Sequence, residues 1–275
     1  MDFTVKLAVY EDMAEAVRVE RETMGDYVYL EDAWHYFNSL EGGLICVSHG
    51  ERMVGIGRFS VLPDGSGWLE TLRVVPDFQR KGAGREIYKK YVELARMHNC
   101  PSMAMFTGVN NVASSALAEI FGLKTVAQHR GYHLTAFEGG NPHGFVHVGW
   151  QRAVDLILPM KQEYNDYMTF NRTFHHINEA NAKQFAIEGK VFEDQESGSF
   201  IVCGARFQHQ AALHIAMMGG DYDRCIDFAV NYARAQGLKK ISCTYAIEND
   251  KLEAVLKARG FAADKSDLIT KEIVF

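Results

Sequence analysis

Apolar and polar positions alternate through Phe3-Thr4-Val5-Lys6-Leu7-Ala8-Val9, the period-two pattern of a strand with one covered face. From Glu11 to Met24, and again from Leu30 to Leu40, the spacing becomes helical. Leu44-Ile45-Cys46-Val47 and Met53–Phe59 flank His49-Gly50-Glu51-Arg52 and predict a hairpin. Pro63-Asp64-Gly65-Ser66-Gly67 reads as a turn leading into a strand over Trp68–Val75. Ile87, Tyr91, Leu94 and Ala95 then recur at helical spacing, which predicts an amphipathic helix from about Arg85 to His98. A strand over Met103–Phe106, a helix over Val112–Ile120 and strands near Thr125–Gln128 and Tyr132–Phe137 complete an α/β unit. Turn formers fill Phe137-Glu138-Gly139-Gly140-Asn141-Pro142-His143-Gly144, so a linker is expected there. This divides the chain into domains over 1–138 and 145–275, joined by 139–144.

The junction between the Trp68 strand and the helix that follows it carries the chemistry. Gln79-Arg80-Lys81-Gly82-Ala83-Gly84-Arg85 places two glycines, one residue apart, at a helix start. There the unpaired N–H groups and the positive end of the helix dipole favour an anion, and Arg80, Lys81 and Arg85 add charge beside them. Neither the G-x-x-x-x-G-K-[ST] loop nor the G-x-G-x-x-G fingerprint is present, which argues against a nucleotide triphosphatase and a dinucleotide oxidoreductase.

Val74, Pro76, Gln79, Gly82 and Gly84 resemble motif A of the GNAT superfamily of N-acetyltransferases, V-x-P-x-x-[QR]-x-x-G-x-[GA]. Asn111, Ser114, Leu117, Gly122 and Leu123 fit that family's second motif. The resemblance covers roughly residues 1 to 137. It implies an α/β (α+β) fold in which each domain is a mixed, mostly antiparallel sheet flanked by helices. It also implies acetyl-CoA as co-substrate and direct transfer of acetyl to a primary amine in a ternary complex. Carried over residue by residue, it assigns coenzyme binding to Leu72, Arg73, Val74, Gln79, Arg80, Lys81, Gly82, Ala83, Gly84, Arg85, Asn111 and Ser114. The Leu72 and Val74 main chains would pair with the pantetheine amides, and the Val74 N–H would serve the oxyanion. Glu70 takes the place of the base, with an exposed or ion-paired strand residue as the other reading. The family's Tyr after the second-motif Leu is here Ala118, so Tyr132, another hydroxyl or solvent must protonate the leaving thiolate. That departure keeps a non-catalytic acyl-CoA-binding sensor as the alternative.

The tail of the chain repeats the first domain at a constant offset of 138 positions: Val230 falls on Val92, Ala233 on Ala95, Asn249 on Asn111, Gly260 on Gly122 and Phe261 on Leu123. At that offset Gln79 becomes Met217, Gly82 stays Gly220, Ala83 becomes Asp221 and Gly84 becomes Tyr222. A carboxylate at the helix start competes with an anion, so the second domain is expected to be a degenerate GNAT-like copy without a coenzyme loop.

Composition narrows the partners. With 275 residues, 47% of them hydrophobic, a net charge of −6 and dispersed basic residues, nothing favours nucleic acid. Five cysteines without C-x-x-C spacing fit neither a disulfide framework nor a zinc site. His129, His133, His143 and His147 read as structural rather than as ligands, and no metal is expected. The start of the chain lacks a leader pattern, and no apolar run approaches the roughly 20 residues that cross a bilayer. The expectation is a cytoplasmic protein without a membrane partner, acting on a small-molecule amine or amino acid, with a homodimer as the admissible assembly.

Overall fold

A computed structural model describes residues 1–275. It divides into two compact units, Met1–Thr107 with Asn111–Val126 and Lys271–Phe275, and Gly108–Asn110 with Ala127–Thr270.

The first unit contains β1 (Thr4–Leu7), α1 (Met13–Met24), α2 (Leu30–Ser39), β2 (Gly42–His49), β3 (Arg52–Val61), β4 (Gly67–Val74), α3 (Ala83–Met97), β5 (Ser102–Gly108) and α4 (Val112–Ile120). Strands β1 to β4 form an antiparallel meander, and β5 joins β4 in parallel. Residues 53–60 of β3 are all buried, which requires cover on both faces. Phe59 meets Tyr91 of α3 at a ring separation of 6.4 Å on one face, and Arg58 lies over the Phe37 ring of α2 on the other. The buried positions Ala83, Ile87, Tyr88, Tyr91, Leu94 and Ala95 form one stripe of α3, as the helical spacing required. The start of α2 is capped from α1: Glu20 Oε2 accepts from the Tyr29 and Leu30 amides at 3.1 and 2.8 Å.

β6 (Lys124–Leu134) begins in the first unit and continues in the second. The second unit goes on with β7 (Phe145–His147), α5 (Trp150–Ile157), β8 (Tyr167–Phe170), β9 (Thr173–His176), α6 (Glu179–Ile187), β10 (Val191–Asp194), β11 (Phe200–Gly204), β12 (Leu213–Gly219), α7 (Tyr222–Ala235), β13 (Ile241–Ala246), α8 (Asp250–Ala258), β14 (Ala262–Ala263) and β15 (Leu268–Val274), whose end belongs to the first unit. Here β12 and β13 are the parallel pair, and β8 with β9 forms a separate hairpin.

Three expectations change. The two strands expected after α4 are one, because β13 pairs without interruption along His129–Leu134. The division between units falls at Val126 rather than at the turn-rich stretch, and the last five residues return to the first unit, where the Phe275 amide donates to Pro101 O at 2.9 Å. The stretch expected as a linker is a strap on α7: Asn231 bonds both the amide and the carbonyl of Gly140, and His143 meets Asp227 at 3.2 Å. Polar residues suit such a strap as well as they suit a free linker, so composition alone could not separate the two.

Candidate active site

The site of the first unit starts from a defect in β4. Arg58 faces Glu70 and Ile56 faces Arg73, so Gly57 alone opposes both Thr71 and Leu72. Thr71 takes up the extra residue with φ +58, a left-handed conformation that a β-branched side chain adopts only where its surroundings hold it. Its hydroxyl lies 2.9 Å from the Tyr29 hydroxyl, and the residue is buried. Pairing of β4 with β5 stops at Leu69 and Met105. Beyond that point β4 has an open edge. Since the Val75 amide bonds Val54 O, odd-numbered residues here face β3, and Leu72 and Val74 turn their main chains outward.

Those outward carbonyls are covered by near neighbours in the chain. Arg73 Nη1 donates to Leu72 O at 2.9 Å, and Gln79 Nε2 donates to Val74 O at 3.1 Å. The loop then runs through a short turn at Pro76–Phe78, Arg80 at φ +58 and Gly82 at φ +108, which forms the N-cap of α3. The amides of Arg80, Gly82, Ala83 and Gly84 bond nothing within the protein, whereas those of Gln79, Lys81, Arg85 and Glu86 are taken by loop carbonyls. Gly82 is required by its φ, because a Cβ there would have only Phe3 Cε2 near it, at 3.6 Å. Gly84 is required by space: its Cβ would lie 3.0 Å from Leu117 of α4, so this glycine serves helix packing rather than close approach to an anion. Arg80, Lys81 and Arg85 are exposed, and Lys81 Nζ sits 5.4 Å from the Phe78 ring centroid. Asn111 caps α4, its Oδ1 accepting from the Ser114 amide at 3.2 Å.

Four unpaired donors at a helix start, beside three cations and an open strand edge, suit a ligand with a diphosphate and amides. Residues 7–123 match the profile of the acetyltransferase (GNAT) family. The first unit is a GNAT acetyltransferase domain.

The chain is 25% identical over 141 residues to the thialysine N-epsilon-acetyltransferase of Sus scrofa, an overlap of 49% of this chain and 82% of that protein. Its whole fold resembles a GCN5-related N-acetyltransferase from Sphaerobacter thermophilus, with a TM-score of 0.65 and 13% identity over 99% of this chain and 95% of that one. It also resembles a tandem GNAT protein from the clavulanic acid biosynthesis pathway, with a TM-score of 0.64 and 17% identity over 99% and 98%. No helix is long and apolar enough to cross a membrane.

Glu70 is half-buried on β4, and its Oε1 accepts from Ser60 Oγ at 2.6 Å; Ser60 Oγ in turn accepts from Arg58 Nε at 3.2 Å. Tyr132 does not join this group. It lies in the second unit, and its hydroxyl donates to Glu253 at 2.9 Å, with burial and the Glu253 carboxylate raising its pKa. Ala118 is fully buried against the turn that follows α4. The four histidines go to separate contacts: His133 to Asp264, His143 to Asp227, His147 to the Phe192 ring, and His129 into an apolar pocket against Phe174, where burial pushes its pKa down to about 3. Sequence reasoning missed Tyr29, Ser60, Arg58 and Glu20, which belong to elements without a family motif and meet β4 only through the fold.

The second unit repeats the frame but fills it. Asn249 caps α8 with φ −86 and ψ 73, against −85 and 73 for Asn111. β12 and β13 also separate after three residue pairs. However, only Gly220 and Asp221 stand between β12 and α7, where the first unit has the whole of Val75–Gly82. The constant offset therefore fails across the loop, and Met217 lies inside β12. Asp221 Oδ1 accepts from the Asp223 and Arg224 amides at 3.0 and 3.3 Å. Fully buried Tyr164 occupies the strand edge, its hydroxyl donating to Met218 O at 2.9 Å and accepting from the Met218 amide at 2.8 Å. Tyr222 donates to Glu163 nearby.

Proposed function

We propose that the first unit binds acetyl-CoA along β4 and the Gln79–Arg85 loop and directs acetyl transfer to the primary amine of a small molecule. The observation that carries this reading is the set of unpaired amides at Arg80, Gly82, Ala83 and Gly84. They fit the diphosphate, with Arg80, Lys81 and Arg85 adding charge around it. Leu72 and Val74 offer outward main-chain groups to the pantetheine amides, and the Val74 N–H serves the thioester oxygen as acyl transfer proceeds. The acyl thioester supplies an activated carbonyl with a thiol leaving group of pKa near 8.5, which departs without a dedicated acid. Glu70, held by Ser60, takes the proton of the attacking amine. The likeness to an enzyme named for thialysine supports an amine on a small, amino-acid-like molecule. The second unit binds no coenzyme, because Asp221 and Tyr164 hold the corresponding groups themselves.

Titration calorimetry with coenzyme A, followed by thiol release from acetyl-CoA against a panel of amines, tests this. One equivalent bound per chain with turnover is the expected result. Absence of binding overturns the site, and binding without turnover on any amine turns the reading into that of an acyl-CoA sensor, which the buried Ala118 would then explain.

A further inference from the structure

Two charged side chains of the first unit are left incomplete next to the strand edge. Arg73 spends Nη1 on Leu72 O, yet its Nε is buried and bonds nothing. Glu20 is entirely buried, caps α2 with Oε2, and leaves Oε1 buried and unbonded. Arg73 is close enough to act electrostatically on both Glu20 and Tyr29, yet makes no ion pair with the carboxylate. An unmade bond to a buried charged group is costly, so two incomplete opposite charges within electrostatic range of each other mark an arrangement with a second, better-paired state.

We propose that Arg73 is a positioning residue that changes partner: it covers Leu72 O in the free protein and moves onto Glu20 Oε1 when a coenzyme amide takes that carbonyl. The proposal rests on the coenzyme reading above. Leu72 O turns toward the open edge, so a ligand that adds there as a strand competes directly with Nη1. The displaced guanidinium has one unfilled buried acceptor within its electrostatic range. Its arrival fixes Glu20 in the ionised form, against the burial that otherwise favours the neutral acid, and a charged carboxylate bonds the Tyr29 and Leu30 amides more strongly than a neutral one. Occupancy of the strand edge thereby firms the turn between α1 and α2, including the Tyr29 that supports the strained Thr71.

Amide hydrogen exchange at Tyr29 and Leu30, measured with and without coenzyme A, tests it. In the wild type, saturation should slow both amides by about tenfold, the factor that one charged hydrogen bond of ordinary strength supplies. At coenzyme A saturation, Arg73→Met and Glu20→Gln should each lose that slowing whatever the change in affinity, and Glu20→Gln keeps an acceptor for both amides if Arg73→Met does not fold. Binding to the wild type without slowing, or slowing that persists in either variant, overturns the exchange of partners alone. Failure of the wild type to bind coenzyme A removes the coenzyme reading, and this proposal with it.

Discussion

Gly82→Ala isolates what the loop backbone contributes. The residue caps α3 at φ +108 and ψ −12, and the added methyl would lie 3.6 Å from its nearest neighbour, Phe3 Cε2. Nothing collides, so the whole cost is conformational, about 1–3 kcal/mol for a side chain held there. The chain can bear that strain, in which case the free protein loses stability and its melting point falls by about 2–4 °C per kcal/mol in a protein of this size. It can instead rotate Gly82 to negative φ, which turns the Gly82 and Ala83 amides away from the anion and weakens coenzyme A tenfold for each 1.4 kcal/mol lost. Both losses draw on one source, so their sum should reach at least about 1 kcal/mol. Denaturation of the free protein together with calorimetry of coenzyme A measures the two parts. Gly84→Ala is the control: its backbone is helical, and its cost comes from Leu117 at 3.0 Å, so it should loosen α3 against α4. A Gly82→Ala protein with wild-type stability and wild-type affinity would refute the argument.

Glu70→Gln should lower kcat by about 10²–10⁴ while acetyl-CoA affinity holds; a loss below about threefold, read by steady-state kinetics, would leave Glu70 as a partner of Ser60 only. Lys271, 2% exposed, has Glu119 at 2.7 Å and Thr125 at 3.0 Å, and Glu119 is 59% exposed, so solvent weakens the pair. Glu119→Ala should destabilise more than Lys271→Met by urea denaturation, because the latter leaves no buried charge behind; the reverse order would contradict this. Burial alone would raise Asp227, but Arg259 and His143 outweigh it and hold its pKa below the usual carboxylate range. A depressed folded-state pKa stabilises above the unfolded value of about 3.9 and is lost as pH falls through the folded one, so stability should drop below about pH 4, and Asp227→Asn should make that drop shallower. Tyr164→Phe strips the Met218 amide and carbonyl of their partner and should destabilise by about 2 kcal/mol or more, with coenzyme A still binding once per chain; a second equivalent bound would show that Tyr164 alone closes that edge.

Elements that announce themselves by period were legible, and those that depend on distant partners were not. The amphipathic stripe of α3 follows from local sequence and stands where the pattern put it, and the offset that sets Asn249 on Asn111 returns as two matching helix caps. The glycines were legible as a pair but not in their separate duties, since only Leu117, thirty-three positions on, reveals that Gly84 makes room rather than turns the chain. The bulge at Thr71 leaves no trace in composition, because a β-branched Thr between Leu69 and Leu72 reads as ordinary strand; its left-handed backbone is held by β3 on one side and Tyr29 on the other. Tyr132 carries a hydroxyl that sequence alone leaves open as an acid, yet β6 carries it into the second unit, where that hydroxyl donates to Glu253 and stays protonated.

On the proposed reading, the two units present one strand edge that a ligand can reach and one that the protein fills itself. In each, a parallel strand pair opens after three residue pairs and leaves main-chain groups facing the gap. In the first unit those carbonyls are met by Arg73 and Gln79, whose side chains lie within five residues of what they cover and can leave by rotation. In the second, a single hydroxyl from the segment after α5 holds both the amide and the carbonyl of Met218. That segment is fixed in turn by consecutive left-handed residues, Asn165 and Asp166, with Asp166 tied to His176 and to the Ile177 amide. A ligand could displace the first kind of cover at the cost of two side-chain rotations, whereas the second yields only if a folded segment moves. On the proposed reading, the units differ in one loop and one gap rather than in their strands or helices: the second has the shorter loop and the filled gap. The helices that follow were left under the same packing demands in both units, which is why their residues still align while the loop between strand and helix does not.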